Sequence, residues 1–161
     1  MTQKSCISHY ELLKIYPSVI RLKDWWNFIV PPILGFYLWG IYQANLPLAA
    51  TAVRTLGFTL LTFSVASFGF FLNEWTDLSD DTAAGKTNRV TQLSCIQAIL
   101  LMGMMGLQAL IGLRLCLHSC LHYILLSIQI FLLILYSANP FRLKKNLYLA
   151  PLLDALYSGT V

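Results

Sequence analysis

The charges of this chain are spaced so that four long uncharged runs lie between them, Trp25–Val53, Thr55–Asn73, Val90–Leu113 and Leu115–Phe141. A helix that crosses a bilayer needs about 20 mostly apolar residues, and each run has room for one. Backbone polar groups inside lipid have no water to bond, so each span must be helical. The expected cores are Phe28–Tyr42, Leu56–Leu72, Cys95–Leu113 and Leu121–Ser137. A fifth apolar segment, Leu147–Tyr157, is too short to cross. Pro31 and Pro32 fall in the first run, so that helix is expected to start after them or to bend there. The fold class is therefore all-α: a polytopic membrane protein with four transmembrane helices and the start of a fifth, in one domain over 1–161. Composition agrees, since 11% of residues are charged, against roughly a quarter in soluble domains.

The basic residues set an orientation. Nine of the eleven lie in the N-terminal tail (Lys4, Lys14, Arg21, Lys23), the second-to-third connection (Lys86, Arg89) and the fourth-to-fifth connection (Arg142, Lys144, Lys145). Arg54 and Arg114 are left to the other two. The positive-inside rule then puts the N-terminus and the loop Asn73–Arg89 in the cytoplasm, which in a bacterium means the inner membrane. No signal-peptide pattern is present in the first 24 residues. Leu12, Leu13, Ile15, Tyr16 and Ile20 instead suit a short helix on the membrane surface. The net charge of +4 follows from the inside loops and is no nucleic-acid footprint. Cys116, His118, Cys120 and His122 alternate in a way that invites a zinc assignment, but on a helix the cysteines and histidines take different faces, and a short external loop is the better reading.

The chemistry concentrates in Asn73–Arg89. Glu74, Asp77, Asp80 and Asp81 follow directly on an apolar run and behind the amide of Asn73. Acids beside a membrane helix are costly and usually face a wet interior. Asn73, Asp77 and Asp81 are four residues apart, so they stack on one face if the second helix continues through them. Three oxygen donors on one ridge are a poor cage for a bare cation, but they suit magnesium when water and phosphate complete its shell. Crowded carboxylates repel and resist ionising, a penalty that a divalent cation removes. Lys86 and Arg89, just past Gly85, would then face a diphosphate held by the metal. An acidic helix end is often a plain solvated loop. Here the four-residue register, the leading amide and the basic pair favour a binding face.

These residues resemble the UbiA superfamily of intramembrane prenyltransferases. Its Asn-x-x-x-Asp-x-x-x-Asp motif matches Asn73, Asp77 and Asp81, and its Ala-Gly-Lys-x-Asn-Arg stretch matches Ala84, Gly85, Lys86, Asn88 and Arg89. The stretch Tyr136-Ser137-Ala138-Asn139-Pro140-Phe141-Arg142-Leu143-Lys144 is similar to the family's Tyr-Ser-x-Pro-Pro-x-Arg-Leu-Lys segment, with Asn139 replacing the first Pro. Arg21 through Trp26, leading to Pro32 and Gly35, match more loosely.

The resemblance implies magnesium-dependent transfer of a prenyl group from a prenyl diphosphate to an aromatic or other lipophilic acceptor. Asn73, Asp77 and Asp81 would be the catalytic magnesium–diphosphate ligands. Lys86 and Arg89 would contact the diphosphate, with Arg21, Tyr136, Ser137, Arg142 and Lys144 around the same cavity. Tyr136 is equally readable as an interfacial anchor, and Arg142, Lys144 and Lys145 as an ordinary positive-inside loop.

The family has nine helices and a second Asp-rich motif. After Asp81 this sequence has one further acid, Asp154. It is therefore expected to be a truncated or split enzyme, with a second chain supplying the missing C-terminal half. A non-catalytic membrane protein that keeps a magnesium–diphosphate face is the alternative. A CDP-alcohol phosphotransferase is a poor fit because its Asp-x-x-Asp-Gly order is absent. A soluble prenyl-diphosphate synthase would not carry its acids at a lipid boundary.

Overall fold

The structure is a computed structural model and describes residues 16–116 and 119–158. Every regular element among them is helical: a helical stretch over 16–19, then α1 (Leu22–Gln43), α2 (Leu48–Thr76), α3 (Leu78–Ala83), α4 (Cys95–Cys116), α5 (Cys120–Ser137) and α6 (Leu149–Ser158), with short 3-10 turns at Arg89–Gln92 and Leu143–Lys145.

Three of these helices, α2, α4 and α5, are long and apolar enough to cross a membrane. Their bounds enclose the expected second, third and fourth cores. The first expected span falls in α1, which is 22 residues long and carries both prolines inside. It is not among the helices apolar enough to span, because Lys23, Asp24, Asn27, the prolines and the Trp and Tyr side chains dilute its apolar residues. α2 begins well before Leu56, so Arg54 sits in its second turn and not in a loop. Arg114 likewise lies in the last turn of α4.

Local chemistry sets the boundaries. Asn45, with φ 49°, follows the end of α1 in the left-handed conformation that Asn tolerates at such ends. Pro47 precedes α2, where a missing N–H costs nothing. Ahead of α4, Ser94 Oγ accepts from Gln97 N at 3.3 Å and Gln97 Oε1 accepts from Ser94 N at 2.8 Å, a reciprocal cap. Within α2, the Thr59 and Ser64 hydroxyls donate to carbonyls one turn back, both at 2.8 Å, so these polar groups stay satisfied in an apolar setting.

α2 is the central helix. It packs chiefly on α4, then on α1 and α5, while α6 folds against α5. The α2–α4 crossing depends on two glycines. A Cβ on Gly112 would lie 2.6 Å from both Gly57 O and Leu61 N, and one on Gly57 would lie 2.7 Å from Cys116 N. Only hydrogen lets the two backbones approach this closely, as small residues do in membrane helix pairs.

One apolar cluster joins Val19, Ile20, Trp25, Phe71, Val90 and Met105, and a second joins Val65, Ala109, Leu113, Leu126 and Leu133. Trp25 Nε1 donates to Ile20 O at 2.8 Å. Ile20, the last apolar residue of the expected surface helix, is wholly buried there. Leu12, Leu13 and Ile15 of the expected surface helix lie outside the described residues, as does His118. The outer helix faces are apolar: Phe36 is 79% exposed, Leu48 85% and Ile96 71%. Contiguous apolar surface on this scale suits contact with lipid.

Candidate functional site

The acid cluster begins where the apolar part of α2 stops. α2 and α3 meet at Asp77, whose backbone stays in the right-handed helical region. Asp77 N bonds Asn73 O at 3.0 Å and Asp81 N bonds Asp77 O at 2.8 Å. The four-residue hydrogen-bond register thus runs unbroken through Asn73, Asp77 and Asp81.

α3 then stops abruptly. Gly85 takes φ +67°, Gly85 N bonds Thr82 O at 3.2 Å, and Lys86 N bonds Asp81 O at 2.9 Å. This double closure satisfies the last carbonyls and turns the chain back toward α2. Asn88 fastens the returning segment. It is 5% exposed, donates to Glu74 O at 2.8 Å and Asp81 Oδ2 at 2.9 Å, and accepts from Val90 N at 3.0 Å.

The result is a cavity of ≈ 340 Å³ lined by Arg21, Asn73, Glu74, Asp77, Asp81, Lys86, Thr87 and Arg89. Glu74 is set deeper than Asp77 or Asp80, its side chain 12% exposed against 25% and 47%. Its Oε1 lies 3.8 Å from both Arg21 Nη1 and Arg89 Nη1. Its Oε2 is buried and has no hydrogen-bond partner. Arg21, left-handed at φ 54°, also stands over the Phe70 ring at 5.9 Å.

A second set of bases arrives from the segment after α5. Arg142 Nη2 donates to Asp77 Oδ1 at 2.6 Å and to Thr76 O at 3.0 Å, and Nη1 reaches Asp80 Oδ2 at 3.1 Å. Lys144 Nζ donates to Asp77 Oδ2 at 2.7 Å and Asn73 Oδ1 at 2.5 Å. Lys145 Nζ sits 2.7 Å from Asp80 Oδ2. Ser137 Oγ donates to Asn73 Oδ1 at 3.5 Å. Hydrogen bonds from Lys145 and Arg142 hold the Asp80 carboxyl below its ordinary range. Burial would lower Arg142, but its bonds to Asp77 and Asp80 outweigh that and hold the guanidinium above its ordinary value.

Of the residues singled out from sequence, Asn73, Asp77, Asp81, Lys86, Arg89 and Arg21 share the cavity. Ser137, Arg142 and Lys144 bond to its acidic wall. Tyr136 is half-buried on α5, one position before Ser137, and does not line the cavity. Five participants, Glu74, Asp80, Thr87, Asn88 and Lys145, were not assigned roles by sequence. Glu74 and Asp80 fall off the four-residue register, so pattern gave no reason to choose them. Asn88 could be found through the Gly85 turn, which must be followed by something that pins the loop.

Four acids (Glu74, Asp77, Asp80, Asp81) meet six bases (Arg21, Lys86, Arg89, Arg142, Lys144, Lys145), an excess of two positive charges. Such a cluster suits an anion. Among the described residues no three His, Cys, Asp or Glu side chains converge to hold a metal ion on their own. Of the oxygen donors on this wall, Glu74 Oε2 has no partner, whereas Asn73 Oδ1 and both Asp77 oxygens accept from Lys144 and Arg142 and Asp81 Oδ2 accepts from Asn88, so a hard cation bringing phosphate and water ligands would have to displace those donors. No family model matches the chain, and no curated protein or solved structure matches it.

Proposed function

We propose that this chain binds a prenyl diphosphate with magnesium, as part of a UbiA-type prenyltransferase that passes the prenyl group to an aromatic or other lipophilic acceptor. The observation that carries the reading is that Asn73, Asp77 and Asp81 line one cavity together with Arg21, Lys86 and Arg89. In this reading α1 is a fourth span and α6 opens a fifth, all in membrane lipid. The N-terminal segment and the acid cluster face the cytoplasm, where nine of the eleven basic residues fall.

Magnesium held by Asn73, Asp77 and Asp81 would supply positive charge beside the diphosphate oxygens. The chain's own part is to bind and to shelter. Arg21, Lys86 and Arg89 neutralise charge growing on the diphosphate as the allylic C–O bond breaks. Ser137 and Lys144 fix the Asn73 amide. Apolar helix faces keep water from the allylic cation until the acceptor forms its new bond and gives up a proton. The second Asp-rich face that the resemblance implies is found on no residue of this sequence. Transfer is therefore expected only with a further segment or a second chain that carries it.

One observation favours a second reading. Both carboxylate oxygens of Asp77 are already bonded, one to Arg142 and one to Lys144. The chain would then be a non-catalytic membrane protein that grips a diphosphate through its surplus of bases.

The two separate in a binding titration of the full chain in lipid vesicles with geranyl diphosphate, in magnesium or in EDTA. The first reading expects binding that requires magnesium and weakens at least about tenfold in Asp81→Asn, the scale of loss when a metal site is perturbed. Equal affinity in EDTA would leave the second reading standing. Equal affinity in Asp81→Asn would remove Asp81 from the ligand set.

A further inference from the structure

Asn88 is nearly the most buried polar side chain of the cluster, yet it does not line the cavity. Its amide is used in full. One N–H goes to Glu74 O, a carbonyl left open because α2 ends two residues later. Another goes to Asp81 Oδ2, and Oδ1 caps the 3-10 turn at Val90 N. The side chain thereby ties three separate pieces together: the last turn of α2, the carboxylate on α3, and the start of Arg89–Gln92. The segment between the second and third of these carries Lys86 and Thr87 into the cavity wall.

We infer that Asn88 is a positioning residue of the diphosphate site: by donating to Asp81 Oδ2 and Glu74 O it fixes which way the Asp81 carboxylate presents to the cavity and sets the span between that carboxylate and Lys86. This rests on the reading of the cavity as a magnesium–diphosphate site. A carboxylate with one oxygen committed to an amide N–H has lost its rotational freedom, and groups that orient metal ligands in this way are worth 10–100-fold in metal affinity. The capping bond to Val90 alone would not need an amide. Aspartate caps equally well, but it has no N–H for Asp81 or Glu74 and would set a second carboxylate against the first.

The test uses the full chain in vesicles, with magnesium and inorganic diphosphate as probes, and reads diphosphate affinity, the magnesium concentration for half-saturation and the thermal midpoint. Asn88→Ala is expected to raise the half-saturating magnesium concentration about 10–100-fold. Asn88→Asp, which keeps the cap, is expected to lose at least as much diphosphate affinity as Asn88→Ala. Leu133→Ala, a truncation in the second apolar cluster, serves as the control for general destabilisation and is expected to lower the midpoint without moving the magnesium requirement. If Asn88→Asp binds like the unsubstituted chain, or if Leu133→Ala shifts the magnesium requirement as far as Asn88→Ala, Asn88 is structural and the inference is overturned. If the unsubstituted chain binds no diphosphate with magnesium, both the inference and the reading beneath it fall.

Discussion

The two ends of α2 are held by different physics. Near its start Gly57 meets Gly112, and the backbones of α2 and α4 approach as closely as glycine permits, with no charge involved. At its far end the helix carries its acids into bases drawn from the N-terminal segment, the loop after α3 and the segment after α5. Contact by shape is indifferent to salt and to pH, whereas paired charge answers to both. The contrast means that the bundle and the site can be perturbed separately.

The sharpest way to break that comparison is at the glycine crossing. Gly112→Leu puts a side chain where even a Cβ would sit 2.6 Å from backbone atoms of α2. The expected loss is about 3 kcal/mol, the upper end for overpacking a well-filled interior, read as a lower thermal midpoint in detergent. Gly106→Ala, on the same helix but with nothing within 4 Å of its Cβ, is the matched control. It is expected to change stability by less than about 1 kcal/mol and in the stabilising direction. Equal behaviour of the two variants would mean that the crossing is not held by close approach.

Arg142→Met probes the charged end and is expected to cost less, about 2 kcal/mol. Breaking a buried pair by removing one partner costs roughly 3–5 kcal/mol, but Asp77 keeps Lys144, Asp80 keeps Lys145, and Arg142 Nε is itself buried without a partner. Each of these reduces the net loss. The comparison is sharpened by salt: the gap between this variant and the parent should shrink as ionic strength rises, while the Gly112→Leu gap should not. A salt-independent Arg142→Met would place that side chain's role in packing.

How much of this was legible in sequence follows the range of the interactions. The α2, α4 and α5 helices could be read from the gaps between charges, because a lack of charge over 20 residues is a local property. The register of Asn73, Asp77 and Asp81 was local too. What could not be read were the partners. Arg142 and Lys144 meet Asp77 from 65 and 67 residues away, and only the packing of α5 on α2 brings them there. The same residues in the same loop would satisfy the positive-inside pattern without touching an acid. Ile20 shows the converse limit. The chain is helical over 16–19, in the segment read as a surface helix, but its apolar pattern did not show that Trp25 would fold over Ile20 and bury it in the core. α1 marks a third limit, since the uncharged run Trp25–Val53 made it a span while its polar and aromatic residues leave it short of the apolarity that α2, α4 and α5 reach.

The smallest effect concerns Asp80, the exposed member of the outer pairs. Lys145 and Arg142 hold its carboxyl below the ordinary range when folded, so the folded form binds its proton less readily than the unfolded one. The sign then follows. The contact stabilises fully above the unfolded value of about 3.9, and the contribution is lost as pH falls through the lower folded value. Asp80→Asn imitates the protonated acid at every pH. Its thermal midpoint should lie slightly below the parent's at pH 6, and the two should converge as the pH drops below about 4. Because the group is open to solvent, high salt should narrow the gap at pH 6 as well. A gap that stayed constant from pH 6 to pH 3 would show that Asp80 acts through shape and not through charge. In that case the charged end of α2 would be less responsive to pH than the contrast with its glycine end requires.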